Sequence, residues 1–172
     1  MKKLFNLLDK ARDSYFSRII LYMALNRAIP FNRPHGIRVI EVLDRGLKAK
    51  LPYWRINQNH LHGLHACALA TLSEFTAGMT LTHCMRSDGF RLIMKDLHMV
   101  YHYQGKTAVT VACELSKERL QNEVYTPLLT EDAVFIDIQL ETYDAAENHI
   151  CTAIVKWQIK KWDKVKEKLS AN

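Results

Sequence analysis

Apolar residues recur over the first 29 positions at spacings of three and four, at Leu4, Leu7, Leu8, Ala11, Tyr15, Ile19, Tyr22 and Met23. That period predicts amphipathic helix over residues 3–29, in one long or two short pieces, ended by Pro30. The connector over residues 29–36 (IPFNRPHG) holds two prolines and a glycine. From Ile37 the period drops to two. Residues 37–43 and 47–51 read as strands joined at Asp44-Arg45-Gly46, with Lys48 and Lys50 marking a wet face. Residues 64–81 break the alternation and predict one helix. Four further strands follow over 90–103, 107–115, 134–142 and 151–162. Ser116 caps a short helix through Asn122, and Pro127 closes that connection. The tail from Asp163 is charged and is expected to fray. Strands with one apolar and one polar face argue for an antiparallel sheet. A lone apolar helix placed early in such a chain must be wrapped by the sheet to bury its bulk. The expected class is α+β.

The central helix concentrates the unusual chemistry. It follows a loop rich in asparagine and histidine: Asn57, Asn59, His60, His62, Gly63 and His65. At 100° per residue, Cys67, Ala70, Thr71, Glu74, Ala77 and Gly78 share one face, and Leu69, Leu72, Phe75 and Met79 share the other. Glu74 is thus a carboxylate flanked by small residues, with room beside it for something that is not protein. Gly78 costs about 1 kcal/mol in a helix interior, which favours close approach of another helix or a ligand.

Composition narrows the class. The 172 residues, 48% apolar, suit a single domain spanning 1–172, with a helical extension over 1–30 and a core over 37–162. A net charge of +6 favours anionic partners. Residues 1–36 carry seven Lys/Arg against two Asp, read as a packing helix with a solvated basic face rather than a membrane-surface helix, although peripheral membrane contact stays open. Cys67, Cys84, Cys113 and Cys151 are scattered, which disfavours a disulfide framework and fits a reducing cytoplasm. The longest late apolar run, residues 19–25, is too short to span a bilayer. The aromatics are not interleaved with the basic clusters, so nucleic acid is not expected. His60, His62, His65, His83 and Cys84 match no metal-ligand spacing, and no metal is assigned.

The connector Ile29-Pro30-Phe31-Asn32, then Asn59 with His65-Ala66, then Glu74 nine residues after His65, resemble the hot-dog thioesterase superfamily. Within it the chain is most similar to the branch called domain of unknown function 4442, alongside acyl-CoA thioesterases of the phenylacetyl-CoA type. The resemblance covers nearly the whole chain. It implies a hot-dog fold, a dimer or dimer of dimers, and a thioester of coenzyme A as substrate, with no separate cofactor. Two positions depart from the pattern: many active relatives carry His-Gly-Gly where this chain has His65-Ala66-Cys67, and Asp where it has Glu74.

Thioester hydrolysis needs an activated water and donors for the developing oxyanion. Glu74 is the candidate base or nucleophile, its pKa raised by an apolar surrounding toward the range useful for a base. The Ala66 N–H, at the helix start, is the candidate oxyanion donor. Asn59 and His65 would orient water or carbonyl, and Gly63, Ala70, Thr71 and Gly78 would line the substrate. Each has a plainer rival: Glu74 as a satisfied buried carboxylate, His65 as a helix cap, Asn59 as a turn residue, Cys67 as small packing. Arg86, Arg91, Lys95 and the C-terminal lysines are candidates for the coenzyme phosphates. His98 and His102 read as structural. Nine helical residues advance by half-integral turns, so His65 and Glu74 face opposite ways and one chain supplies them to two different sites. A non-catalytic acyl- or lipid-binding module and a dehydratase or hydratase are the alternative functions.

Overall fold

The computed structural model describes residues 1–165. Ser14 divides the N-terminal helical segment. It ends α1 (Lys2–Asp13) and caps α2 (Tyr15–Ala28), its hydroxyl accepting from the Ser17 N–H at 3.2 Å. The extended backbone at Ser14 breaks the helical phase, so the expected single apolar face does not run through both helices. Leu8 and Ala11 of α1 are buried, but α2 buries Leu21 and Leu25, and Tyr15, Ile19 and Met23 are exposed.

Six strands follow: β1 (Arg38–Leu43), β2 (Gly46–Leu51), β3 (Phe90–Tyr101), β4 (Val109–Glu114), β5 (Ala133–Asp144) and β6 (His149–Lys161). They form one antiparallel sheet in the order β1-β2-β4-β5-β6-β3. The alternation read from the sequence sets its faces. Val109, Val111 and Cys113 of β4, and Ala153, Val155, Trp157 and Ile159 of β6, point into the core. Between β4 and β5, the Ser116 hydroxyl caps α4 (Lys117–Leu120) through the Arg119 N–H at 3.0 Å.

The long helix α3 (Ala66–Met85) packs against β2, β3, β4, β5 and β6, so the sheet curls around it as the hot-dog arrangement requires. Leu69, Leu72, Phe75 and Met79 are buried as expected, together with Ala77, which was expected on the opposite, small-residue face. Buried Ser73 and Thr76 satisfy their hydroxyls by donating to Leu69 O at 3.1 Å and Leu72 O at 2.7 Å. The helix runs one turn beyond its expected end. Arg86 then takes a left-handed conformation (φ 46°) and clasps Asp9 of α1 with two bonds of 2.7 and 2.6 Å.

The two sheet edges differ. Helices α1 and α2 pack beside β1, whereas β3 ends the sheet beside β6 and has no strand on its other edge among the described residues. The start of the charged tail is ordered rather than frayed: Trp162–Lys164 form a 3-10 turn and Val165 is buried. The rest of that tail, residues 166–172, lies outside the described residues. No helix among the described residues is long and apolar enough to cross a membrane.

Candidate functional site

The loop before α3 is built on two asparagines with different tasks. Asn57 is fully buried. Its Nδ2 donates to His35 O at 2.9 Å and Pro52 O at 2.8 Å, its Oδ1 meets His35 Nδ1 at 2.9 Å, and its backbone O accepts from the His65 N–H at 2.7 Å. One residue, through its side chain and its backbone together, thereby ties the proline-rich connector to the start of α3. Asn59, the expected positioning residue, folds the loop tip: its Oδ1 accepts from the N–H groups of Leu61 (2.9 Å) and Gly63 (3.0 Å). His62 occupies a left-handed conformation at that tip, and the Tyr53 hydroxyl donates to its carbonyl. Gly63 is buried, and a Cβ there would lie 2.7 Å from Gln104 Cγ, so its missing side chain makes room for Gln104.

His65 is the N-cap of α3. Its Nδ1 accepts from the Cys67 N–H at 3.1 Å, which leaves the proton of the neutral ring on an exposed Nε2. Ala66 begins the helix, and no described residue accepts from its N–H. Its carbonyl accepts from the Tyr101 hydroxyl of β3 at 3.2 Å. A cleft of about 330 Å³ opens here, lined by Asn59, Leu64, Ala66, Tyr101, His102 and Gln104 among others. Tyr101 and His102 are the lining residues that periodicity missed. Both lie at the end of β3, and only its pairing beside the loop brings them to Ala66.

Along the rest of α3, Ala70, Thr71, Glu74, Gly78 and Thr82 form a half-buried stripe, with Cys67 exposed at its start. Thr71 and Thr82 turn their hydroxyls back to Cys67 O (2.8 Å) and Gly78 O (2.9 Å), leaving methyl groups outward. Glu74 has no hydrogen-bond or ion-pair partner among the described residues, and burial pushes its pKa above the ordinary carboxylate value. Gly78 is approached closely by a side chain of the sheet. A Cβ there would stand 2.8 Å from Cη2 and Cζ2 of Trp157, whose buried indole Nε1 has no described acceptor.

Asn59 and Ala66 therefore share one cleft, and Glu74 lies outside it, eight helical residues and about 12 Å along the axis from Ala66. Among the phosphate candidates, Arg86 is committed to Asp9 and Lys164 to Asp132, and Lys166 and Lys168 lie outside the described residues. His83 is buried at the far end of α3 with its Nε2 3.2 Å from Leu43 O. No three His, Cys, Asp or Glu side chains among the described residues are grouped to hold a metal ion.

Comparisons with known proteins agree with this architecture. A structure from Pseudomonas aeruginosa, titled a protein of unknown function and probable thioesterase, superimposes with a TM-score of 0.72 at 22% identity over 81% of this chain and 93% of its own. A thioesterase from Haemophilus influenzae gives 0.64 at 12% identity over 87% and 94%. A Q49A mutant thioesterase, also from P. aeruginosa, gives 0.62 at 16% identity over 81% and 94%. At such identities these structures establish a shared fold. No functionally curated protein matches. The family model "Domain of unknown function (DUF4442)" matches residues 17–159, from within α2 to near the end of β6 and across the whole candidate site. A helix wrapped by six antiparallel strands, matched by that model over most of its length, makes this chain a hot-dog-fold member of the DUF4442 family.

Proposed function

We propose that the protein hydrolyses a thioester, most simply an acyl-coenzyme A, at sites formed between two copies of the chain. The observation that carries this reading is Glu74. It is a half-buried carboxylate with no partner among the described residues, raised in pKa, on a half-buried helix stripe of small side chains that the chain's own sheet covers only in part. Leaving a charge so placed is costly unless something else completes its surroundings.

In the proposed reaction Glu74 takes a proton from water, and the resulting hydroxide attacks the thioester carbonyl carbon. The carbonyl oxygen becomes an oxyanion held by the free N–H of Ala66 at the positive end of α3. Collapse breaks the C–S bond, and the leaving thiolate receives the proton from Glu74. The products are a thiol and a carboxylic acid, which then gives its proton to solvent and leaves as the carboxylate. His65 and Asn59 act by holding the loop and the helix start in shape, and Ala70, Thr71 and Gly78 keep the stripe beside Glu74 narrow enough for an acyl chain.

The 12 Å between Ala66 and Glu74 is too long for one carbonyl to meet both within a chain, so Ala66 of one copy works with Glu74 of another. The open edge of β3 is the natural contact. It is 12 residues long and exposes Ile93, Met94, Val100 and Tyr101. Long apolar edges of this kind seek a partner strand.

Initial rates on acyl-coenzyme A substrates of increasing chain length test the reading. Wild type is expected to release free thiol, and E74Q to lose about 10²–10⁴-fold in kcat, the usual contribution of a general base. Tight acyl-coenzyme A binding with no thiol release on any chain length would instead mark an acyl-binding module.

A further inference from the structure

Helix α2 has two apolar faces, and the chain covers one. At 100° per residue, Phe16, Ile19, Ile20 and Met23 fall within an arc of about 100°, opposite buried Leu21 and Leu25. Phe16 is 70% exposed and Met23 57%, with Tyr15 (73%) beside the stripe and Phe31 (68%) just past the helix end. A helix that is apolar on both sides and buried on one presents the other to a partner.

Charge identifies that partner. Residues 14–40 contain no Asp or Glu and four arginines, Arg18, Arg27, Arg33 and Arg38. Two clefts flank the stripe. One, of about 390 Å³, is lined by Tyr15, Arg18, Ile19, Arg38 and Lys50, among others. The other, of about 470 Å³, is lined by Met23, Asn26, Arg27, Pro30 and Arg33. None of these five cations has a carboxylate partner among the described residues. Arg38 and Lys50 are direct cross-strand partners, a like-charge pairing that costs stability unless anions neutralise it. Arg18 spends its hydrogen bonds on the carbonyls of Ala11 and Arg12, which leaves its charge uncompensated.

We propose that α2 and the turn after it dock on the surface of an anionic lipid bilayer. In this arrangement Phe16, Ile20, Met23 and Phe31 enter the headgroup–acyl boundary, and the flanking arginines and Lys50 meet lipid phosphates. A second copy of the chain fits this face poorly. Two-fold contact would set arginine-bearing surfaces together without one carboxylate from residues 14–40. The surface also lies at the β1 end of the sheet, away from the open β3 edge.

Flotation of the whole protein with phosphatidylcholine vesicles, with and without phosphatidylglycerol, tests this. Binding is expected only to the phosphatidylglycerol vesicles, and it should weaken as salt rises. R27Q/R33Q, two exposed arginines, should lower partitioning about fivefold per charge, and F16S/M23S should abolish it. Both variants should keep the wild-type circular dichroism spectrum and sedimentation coefficient, and E74Q should bind vesicles like wild type. Equal binding to both vesicle types, or none to either, overturns the proposal. So does an F16S/M23S protein that still floats but sediments as a smaller species, because the stripe would then be a contact between copies.

Discussion

Truncating Asn57 should damage this protein far more than truncating Asn59, although both lie in one short loop. Asn57→Ala removes three side-chain hydrogen bonds of 2.8–2.9 Å, at about 1 kcal/mol each. It also strands the carbonyls of His35 and Pro52, and Pro52 is buried. The expected loss is about 3–4 kcal/mol. In urea, with a slope of about 2 kcal/mol/M for a chain of this size, the midpoint should fall by roughly 1.5–2 M. Asn59→Ala removes two turn-closing bonds from a partly solvated tip, where water replaces the acceptor, at about 1 kcal/mol. Equilibrium unfolding followed by tryptophan fluorescence compares the two directly. Equal midpoints, or an Asn57→Ala loss below about 1 kcal/mol, would show that this side chain does not hold the connector and Pro52 against the loop.

Three further outcomes follow from the same geometry. Ala66→Pro deletes the proposed oxyanion donor where proline is tolerated, because Ala66 is the first helical residue and His65 before it is already extended (ψ 138°). It should leave the melting temperature within a few degrees and cut kcat by about 10²–10³ in a thiol-release assay. E74Q should raise the melting temperature at neutral pH. Burial lifts the Glu74 pKa in the folded state, so the stability its proton confers is complete below the ordinary carboxylate range and is lost as pH rises through the folded value. The gain from E74Q should therefore shrink as calorimetry is repeated toward about pH 4. Gly78→Ala should destabilise despite a helix-propensity gain of about 1 kcal/mol, because the new methyl meets the Trp157 ring at 2.8 Å. The resulting shift of the indole should appear as a changed fluorescence maximum.

The fold was legible wherever burial follows a local period. The strands of 107–115, 134–142 and 151–162 alternate because one face of a single sheet is buried, and they formed within two residues of their expected ends. The bulky face of α3 was legible for the same reason. The buried face of α2 was not, because Ser14 shifts the phase and two apolar faces leave no contrast between inside and outside. Choosing between Asn57 and Asn59 needed His35 and Pro52, whose carbonyls no spacing rule brings near. Close approach at Gly78 was legible, but not that Trp157 makes it, because that residue arrives from a strand 79 residues later in the chain. Glu74 stood out in sequence for the feature that also marks it in the fold: a carboxylate among small residues, with no partner among the described residues.

The central claim is that one site uses Ala66 from one copy and Glu74 from another. The direct test mixes the two inactive variants, A66P and E74Q, under conditions that let subunits exchange, and measures thiol release from an acyl-coenzyme A. If sites are shared, random pairing makes half the dimers mixed, each with one intact site of two, and activity should return to about a quarter of wild type. A mixture no more active than either variant alone, from a wild type that does hydrolyse the substrate, would contradict the shared site.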